Sequence, residues 1–198
     1  ERDLKKLGGD PEVNAAAERF LDRPILNEKV TKLLIEEKIK IQEEYYLGIL
    51  FSQEQRCPIL IISKQGGIDI EDVEKKSPEK IIKEPINYLQ GVQEKQLKAM
   101  LNKAGFTNAT TELKETIKKL YKAFVDYDMK MVEINPLALT ADNKLIAVDA
   151  VVVLDDAAQY RWKKSFPERL GIGRNLTERE QEAHKIDEED HRGIAGRT

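Results

Sequence analysis

Two apolar runs dominate the first half of the chain. Tyr45–Phe51 (YYLGILF) and Pro58–Ser63 (PILIIS) are each short and nearly continuous, as buried strands are. The spacer Ser52–Cys57 (SQEQRC) is polar and short, which predicts an antiparallel hairpin. Ile39 and Ile41 lead into the first of these strands. Upstream, Val13–Leu21 reads as a helix closed off by Pro24, and Val30–Ile35 (VTKLLI) as a strand followed by the charged turn Glu36-Glu37-Lys38. Downstream, Gln65-Gly66-Gly67 breaks the chain, and Glu71–Lys76 is a short helix stopped at Ser77-Pro78. Val92–Ala104 is a helix with Leu97, Met100 and Leu101 on one face. The next helix, capped by Thr110 or Thr111, carries the stripe Leu113, Ile117, Leu120, Tyr121, Phe124 and Val125. Met131–Ile134 and Leu145–Leu154 read as strands joined through a turn at Asp142-Asn143. Glu178–Asp190 is so dense in charge that it reads as a solvated helix or a linker. No repeat of fixed period is present.

Two polar residues interrupt the last two strands. Asn135 stands at the end of one, before Pro136, and Asp149 in the middle of the other (LIAVDAVVV). An aspartate in such a run is costly unless it is paired or bound to a cation. Antiparallel partners have indices of constant sum, so a turn centred on Asp142 sets Asn135 opposite Asp149, and Glu133 shares the face of Asn135. An amide oxygen beside one or two carboxylates is the hard-oxygen set that Mg²⁺ takes, with room left for water and phosphate. A hydrogen-bonded pair capping a hairpin, with Asp149 partnered by a lysine or arginine, accounts for the spacing equally well.

Glu36-Glu37-Lys38 after one strand and Glu43-Glu44 before the next would supply a nucleoside with backbone groups and a ribose-binding carboxylate. An ordinary solvated turn is the simpler account of those residues alone. Gly66-Gly67 permits a close backbone approach or a tight turn. The chain has neither a G-x-x-x-x-G-K-[ST] loop nor a G-x-G-x-x-G fingerprint, so a P-loop or dinucleotide fold is not supported.

Composition narrows the classes further. The chain has 198 residues, with 33 Lys plus Arg against 36 Asp plus Glu for a net charge of −3, and the signs are interspersed. No basic footprint for nucleic acid is present, and no apolar run approaches the ~20 residues of a membrane helix. A hydrophobic content of 40% suffices for a core. The single cysteine, Cys57, excludes an intrachain disulfide and fits a reducing compartment. It lies far in sequence from His184 and His191, which read as surface residues, so a catalytic thiol has no support. The chain starts at Glu1 with no signal or transit pattern and stops at Thr198 without a cap; both ends read as cut from something longer.

The segments LLIEEKIKIQEEYYLGI, SKQGGIDIEDV, KEPINYLQGV, VEINPLALTADNKLIAVDA and LDDAAQYRW, in that order, resemble the ATP-grasp region of the β subunit of succinate–CoA ligases. The likeness runs from about Val13 to about Trp162, and the E-I-N-P-L segment with its hairpin aspartate is its most specific part. The resemblance implies an α/β (α+β) partial ATP-grasp fold, an antiparallel sheet flanked by helices. Residues 1–29 would be a remnant of the first lobe, 30–162 the main lobe, and 163–198 a charged linker. It implies Mg²⁺ at Asn135 and Asp149, nucleotide (ATP/ADP or GTP/GDP) contacts from Glu36 and Glu44, and a backbone contact at Ile39. It also implies a partner α subunit that carries a phosphohistidine and the CoA site, in a prokaryotic cytoplasm or mitochondrial matrix. The family's phosphate-gripping lysine and G-R-G loop would precede Glu1, and its C-terminal domain would follow Thr198. This stretch alone would therefore be inactive, with no catalytic residue of its own. Many members carry a lysine two residues after the metal aspartate, where this chain has Val151, and the tail from Leu170 follows the family less well. A sister ligase using malate or citrate, or a non-catalytic nucleotide-binding or assembly module, are the alternatives.

Overall fold

A computed structural model describes residues 10–21, 23–24, 30, 33–106, 111–162, 164 and 177–189. Contacts divide the chain into two units, Glu1–Lys38 with Lys164–Thr198, and Ile39–Lys163. In chain order the elements are α1 (Asp10–Leu21), β1 (Ile41–Ser52), β2 (Cys57–Ser63), α2 (Ile70–Lys76), β3 (Ile81–Pro85), α3 (Glu94–Lys103), α4 (Thr111–Asp126), β4 (Met129–Thr140), β5 (Leu145–Ala147), β6 (Ala150–Leu154) and α5 (Glu178–Glu189). The first unit holds α1 and α5. A reciprocal capping box starts α5: the Thr177 N–H donates to Glu180 Oε2 at 2.8 Å, and the Glu180 N–H to Thr177 Oγ1 at 3.3 Å. The charged run is thus a helix, and Thr177-x-x-Glu180 was its sequence signal.

The second unit is one antiparallel sheet in the order β3-β2-β1-β4-β5, with β6 also paired to β4. The predicted β1–β2 hairpin forms, with Phe51 opposite Pro58 and Tyr46 opposite Ser63. Its two runs are nearly continuous because both faces of the sheet are covered. Leu47, Ile49, Leu60 and Ile62 face the stripes of α3 and α4, in a core completed by Met100, Leu101, Ile117 and Phe124. Tyr46, Ile59, Ile61 and Ile81 face the other way, onto Val73 of α2. The mixed α/β architecture with a helix-flanked antiparallel sheet is the one expected.

Several elements differ from expectation. No strand forms over residues 33–40; Leu34 is 84% and Ile35 61% exposed. Strand-forming side chains do not make a strand without a neighbouring ladder. Ile81–Pro85, which carries no pattern of its own, becomes β3 because it pairs with β2 at the sheet edge, where a terminal proline is tolerated. The long strand 145–154 is two strands broken at Val148-Asp149. Conversely, β4 continues through Asn135-Pro136 as far as Thr140. Thr110 and His191 lie outside the described residues, as does the side chain of His184.

Candidate metal and nucleotide site

The site grows from the hairpin β4–β5–β6. Leu139 pairs with Leu145, and Ile134 with Ala150 in the same register, so Asn135 and Asp149 face each other across the break. The Asn135 N–H donates to the Asp149 carbonyl at 3.1 Å, and the Val148 N–H to the Pro136 carbonyl at 3.1 Å. The turn is held by Thr140, whose Oγ1 donates to Asp142 Oδ1 at 2.6 Å, and by Asn143 at φ 59, a conformation asparagine tolerates. Lys144 and Thr140 hold the Asp142 carboxyl down at about 2.

On its other side β4 carries a bulge. Tyr45 opposes Leu137 and Leu47 opposes Ile134, which leaves Asn135 and Pro136 together opposite Tyr46. The Asn135–Pro136 peptide is cis. The extra residue shifts the alternation, so that Ile134 and Leu137 both enter the α3–α4 core while Asn135 stays on the opposite face with Glu133. Proline is accepted here because a bulge needs no ladder donor.

The Gln65–Ile68 turn orients the asparagine. The Gly67 N–H donates to Asn135 Oδ1 at 2.7 Å, and Asn135 Nδ2 donates to the Ile68 carbonyl at 3.0 Å. Those backbone partners decide which amide atom is oxygen and leave Oδ1 one lone pair. The same turn touches β1. The Gly66 N–H donates to the Glu44 carbonyl at 3.0 Å, and a Cβ on Gly66 would overlap the Tyr45 backbone. Gly67 has φ +72, and a Cβ there would overlap the Glu44 carboxylate. Paired glycines thus allow a close approach, with protein as the neighbour. They bring Glu44 and Asn135 to one turn.

Neighbouring tyrosines of β1 point to opposite faces of the sheet, Tyr46 to this patch and Tyr45 to the α3–α4 core. Tyr46 donates its hydroxyl to Glu133 Oε2 at 2.9 Å; burial, and then Glu133, push its pKa well above the usual phenol value. Tyr45 donates to Glu43 Oε2 at 3.2 Å and is pushed up to about 12 by burial and then Glu43. Its ring meets Phe106 edge-on, with centroids 4.9 Å apart. Asp149 is half-buried and engaged within the fold. Of the residues expected to form the site, Asn135, Asp149 and Glu44 come together. Ile39 is half-buried just ahead of β1, and Glu36 is exposed and belongs to the other unit. Tyr46 and Gly67 were not anticipated as site residues. The spacing Tyr46-x-Gly48, which puts a ring and a gap on one strand face, was a usable signal for the first.

Among the described residues no group of three or more His, Cys, Asp or Glu could hold a metal ion. The expected pair would offer instead one amide oxygen, held by the Gly67 N–H, and one carboxylate. That fits Mg²⁺, which takes one or two protein oxygens and completes its octahedron from phosphate and water.

The sequence profile of the ATP-grasp domain family matches residues 7–139. The chain is 41% identical over 152 residues to the ADP-forming succinate–CoA ligase subunit beta of Methanocaldococcus jannaschii, covering 73% of this chain and 40% of that protein. It is 38% identical over 163 residues to the corresponding subunit of Bacteroides fragilis, covering 80% and 42%. It is 36% identical over 142 residues to the mitochondrial GDP-forming subunit of Dictyostelium discoideum, covering 71% and 34%. The chain thus spans about a third to two fifths of the length of these curated relatives. Among solved structures, ATP citrate lyase from Methanothrix soehngenii, in complex with citrate and coenzyme A, superposes with a TM-score of 0.65 at 24% identity, covering 91% of this chain and 42% of that one. At that identity the likeness speaks for the fold.

Proposed function

We propose that this chain, which belongs to the ATP-grasp domain family, is the metal- and nucleotide-binding part of the β subunit of a nucleoside-diphosphate-forming acid–CoA ligase, with succinate as the acid. The observation that carries the reading is the Asn135–Asp149 pair, set face to face across a hairpin, with the amide aimed by Gly67 and Glu44 on the same turn. The relatives' names supply the substrate class. In the complete enzyme residues 1–29 would end a first lobe, and the nucleotide would lie between the two lobes.

Asn135 Oδ1 and the Asp149 carboxylate would hold Mg²⁺ against the nucleotide phosphates, and the ion would neutralise charge on the phosphoryl group in transfer. Glu44 would bind the nucleoside from β1, with Glu36 and the Ile39 backbone contributing from the segment before it. The phosphoryl group would pass reversibly between nucleotide and a histidine of a companion α subunit, where CoA also binds. Relatives of both ADP-forming and GDP-forming name leave the purine open between ATP/ADP and GTP/GDP. No helix among the described residues is long and apolar enough to cross a membrane.

The test is thioester formation by the full-length parent subunit with its companion, given CoA, Mg²⁺ and ATP or GTP, with succinate, malate and citrate side by side. Succinyl-CoA as the main product is expected. Malyl- or citryl-CoA would replace the acid in this reading. No thioester with any acid, from folded complex that still binds nucleotide, would overturn it in favour of a non-catalytic module.

A further inference from the structure

The face that carries Asn135 holds a contact to which the roles above give no part. Tyr46 is 5% exposed, its ring packed with Ile59, Ile61, Val73 and Ile81. Its phenol runs along β1 over Gly48: a Cβ on residue 48 would stand 2.9 Å from Tyr46 Oη and 3.2 Å from Cε1. Gly48 lies opposite Glu133 in the β1–β4 register. The hydroxyl therefore arrives at the Glu133 carboxylate and donates to Oε2 at 2.9 Å. On the other side of β4, Glu133 lies opposite Val151, which brings no charge. Among the described residues the partner of Glu133 is thus a neutral donor.

A glutamate has three rotatable bonds, and without a partner its carboxylate turns toward water. A lysine or arginine would hold it but cancel its charge. A tyrosine hydroxyl holds it and leaves the charge in place. The ring is already locked in the core, so its ordering cost was met on folding and not at binding.

We propose that Tyr46 is a positioning residue of this site: lying over Gly48, it fixes Glu133 beside the Asn135–Asp149 pair as an uncancelled negative charge that favours a divalent-metal–nucleotide complex. The inference rests on the metal reading of the preceding subsection and adds to it the residue that aims the neighbouring carboxylate.

The test uses the full-length subunit with its companion, and reads binding of ADP with and without Mn²⁺ as the probe metal. Tyr46→Phe removes one oxygen and keeps the ring. It should weaken Mn²⁺–ADP by roughly ten- to a hundredfold, the range for a hydrogen bond to a charged group, and leave metal-free ADP binding unchanged. Glu133→Gln should do likewise, and the double variant should be no worse than Glu133→Gln alone. Gly48→Ala, whose methyl group would crowd the Tyr46 hydroxyl and ring aside while removing neither, is the second probe and should show the same metal-specific loss. Wild-type metal-dependent binding with unchanged Tyr46→Phe and Gly48→Ala would overturn this inference alone. So would multiplicative effects in the double variant, or equal losses with and without metal. Wild-type binding of ADP that ignores the metal would overturn the underlying reading and this inference with it.

Discussion

Replacing Gly66 with alanine sets a methyl group into the backbone of β1. The new carbon would stand 2.5 Å from the Tyr45 carbonyl carbon and 2.7 Å from its nitrogen, and main-chain atoms cannot rotate aside. The Gln65–Ile68 turn must lift off the strand. Three hydrogen bonds go with it: Gly66 N–H to Glu44, Gly67 N–H to Asn135, and Asn135 Nδ2 to Ile68. At about 1 kcal/mol net each the loss is about 3 kcal/mol, offset by roughly 0.4–1 kcal/mol because alanine restricts the unfolded chain. The remaining ~2 kcal/mol corresponds to a fall in Tm of about 4–8 °C for a protein of this size. Gly67→Ala differs in kind. Its φ of +72 costs an alanine about 1–2 kcal/mol, but the overlapping group is the end of the Glu44 side chain, which can swing away. Gly67→Ala should therefore melt closer to wild type and yet bind nucleotide more weakly, because Glu44 has been displaced. Thermal unfolding by circular dichroism ranks the two variants, and calorimetric ADP titration of the full-length subunit separates stability from binding. A Gly66→Ala protein that melts within 1 °C of wild type (a change of no more than ~0.5 kcal/mol) would refute the reasoning. So would a Gly67→Ala protein that melts lower than Gly66→Ala.

Three further outcomes are expected. Asp149→Ala in the complete enzyme should lower Mg²⁺-dependent turnover by more than about a hundredfold, the scale of losing a preorganised electrostatic contact, with an unchanged circular dichroism spectrum; turnover near wild type would remove Asp149 from the metal site. Ile117 is wholly buried between α4 and the sheet, so Ile117→Ala should cost about 2–5 kcal/mol in urea unfolding, and a loss below ~1 kcal/mol would mean that the neighbours collapse into the space. Arg161 grips Asp128 through two bonds, Nε to Oδ2 at 2.9 Å and a terminal nitrogen to Oδ1 at 2.5 Å, and holds its carboxyl below the usual 3.8. A carboxylate with a depressed folded pKa adds stability that is complete above the unfolded value and fades as pH falls through the folded one. Urea midpoints should accordingly drop below about pH 4, and Asp128→Asn, tolerated at φ 50, should flatten that drop; identical acid profiles for the two proteins would show that the ion pair adds nothing.

What the sequence alone determined is whatever depends on near neighbours. The stripe Leu113-Ile117-Leu120-Phe124 closes one face of a helix within a few turns, and α4 forms there. Two apolar runs joined by a short polar spacer have little choice but to pair, and β1 and β2 do. The facing of Asn135 and Asp149 was legible for the same reason, since a local turn at Asp142 sets the register on both of its sides. A strand, by contrast, is completed by hydrogen bonds to residues far away in the chain. Val30–Ile35 carries strand-like side chains, and residues 33–35 make no strand; Ile81–Pro85 looks unremarkable and becomes one at the edge of β2. The break at Val148-Asp149 and the bulge at Asn135-Pro136 follow from how β4 shares its two edges, which no local pattern encodes. Likewise, only the tertiary structure put the Gly66-Gly67 turn against both Glu44 and Asn135, and laid Tyr46 over Gly48 onto Glu133, 87 residues away. Periodicity reports which face of an element is apolar; only packing decides which polar groups then meet.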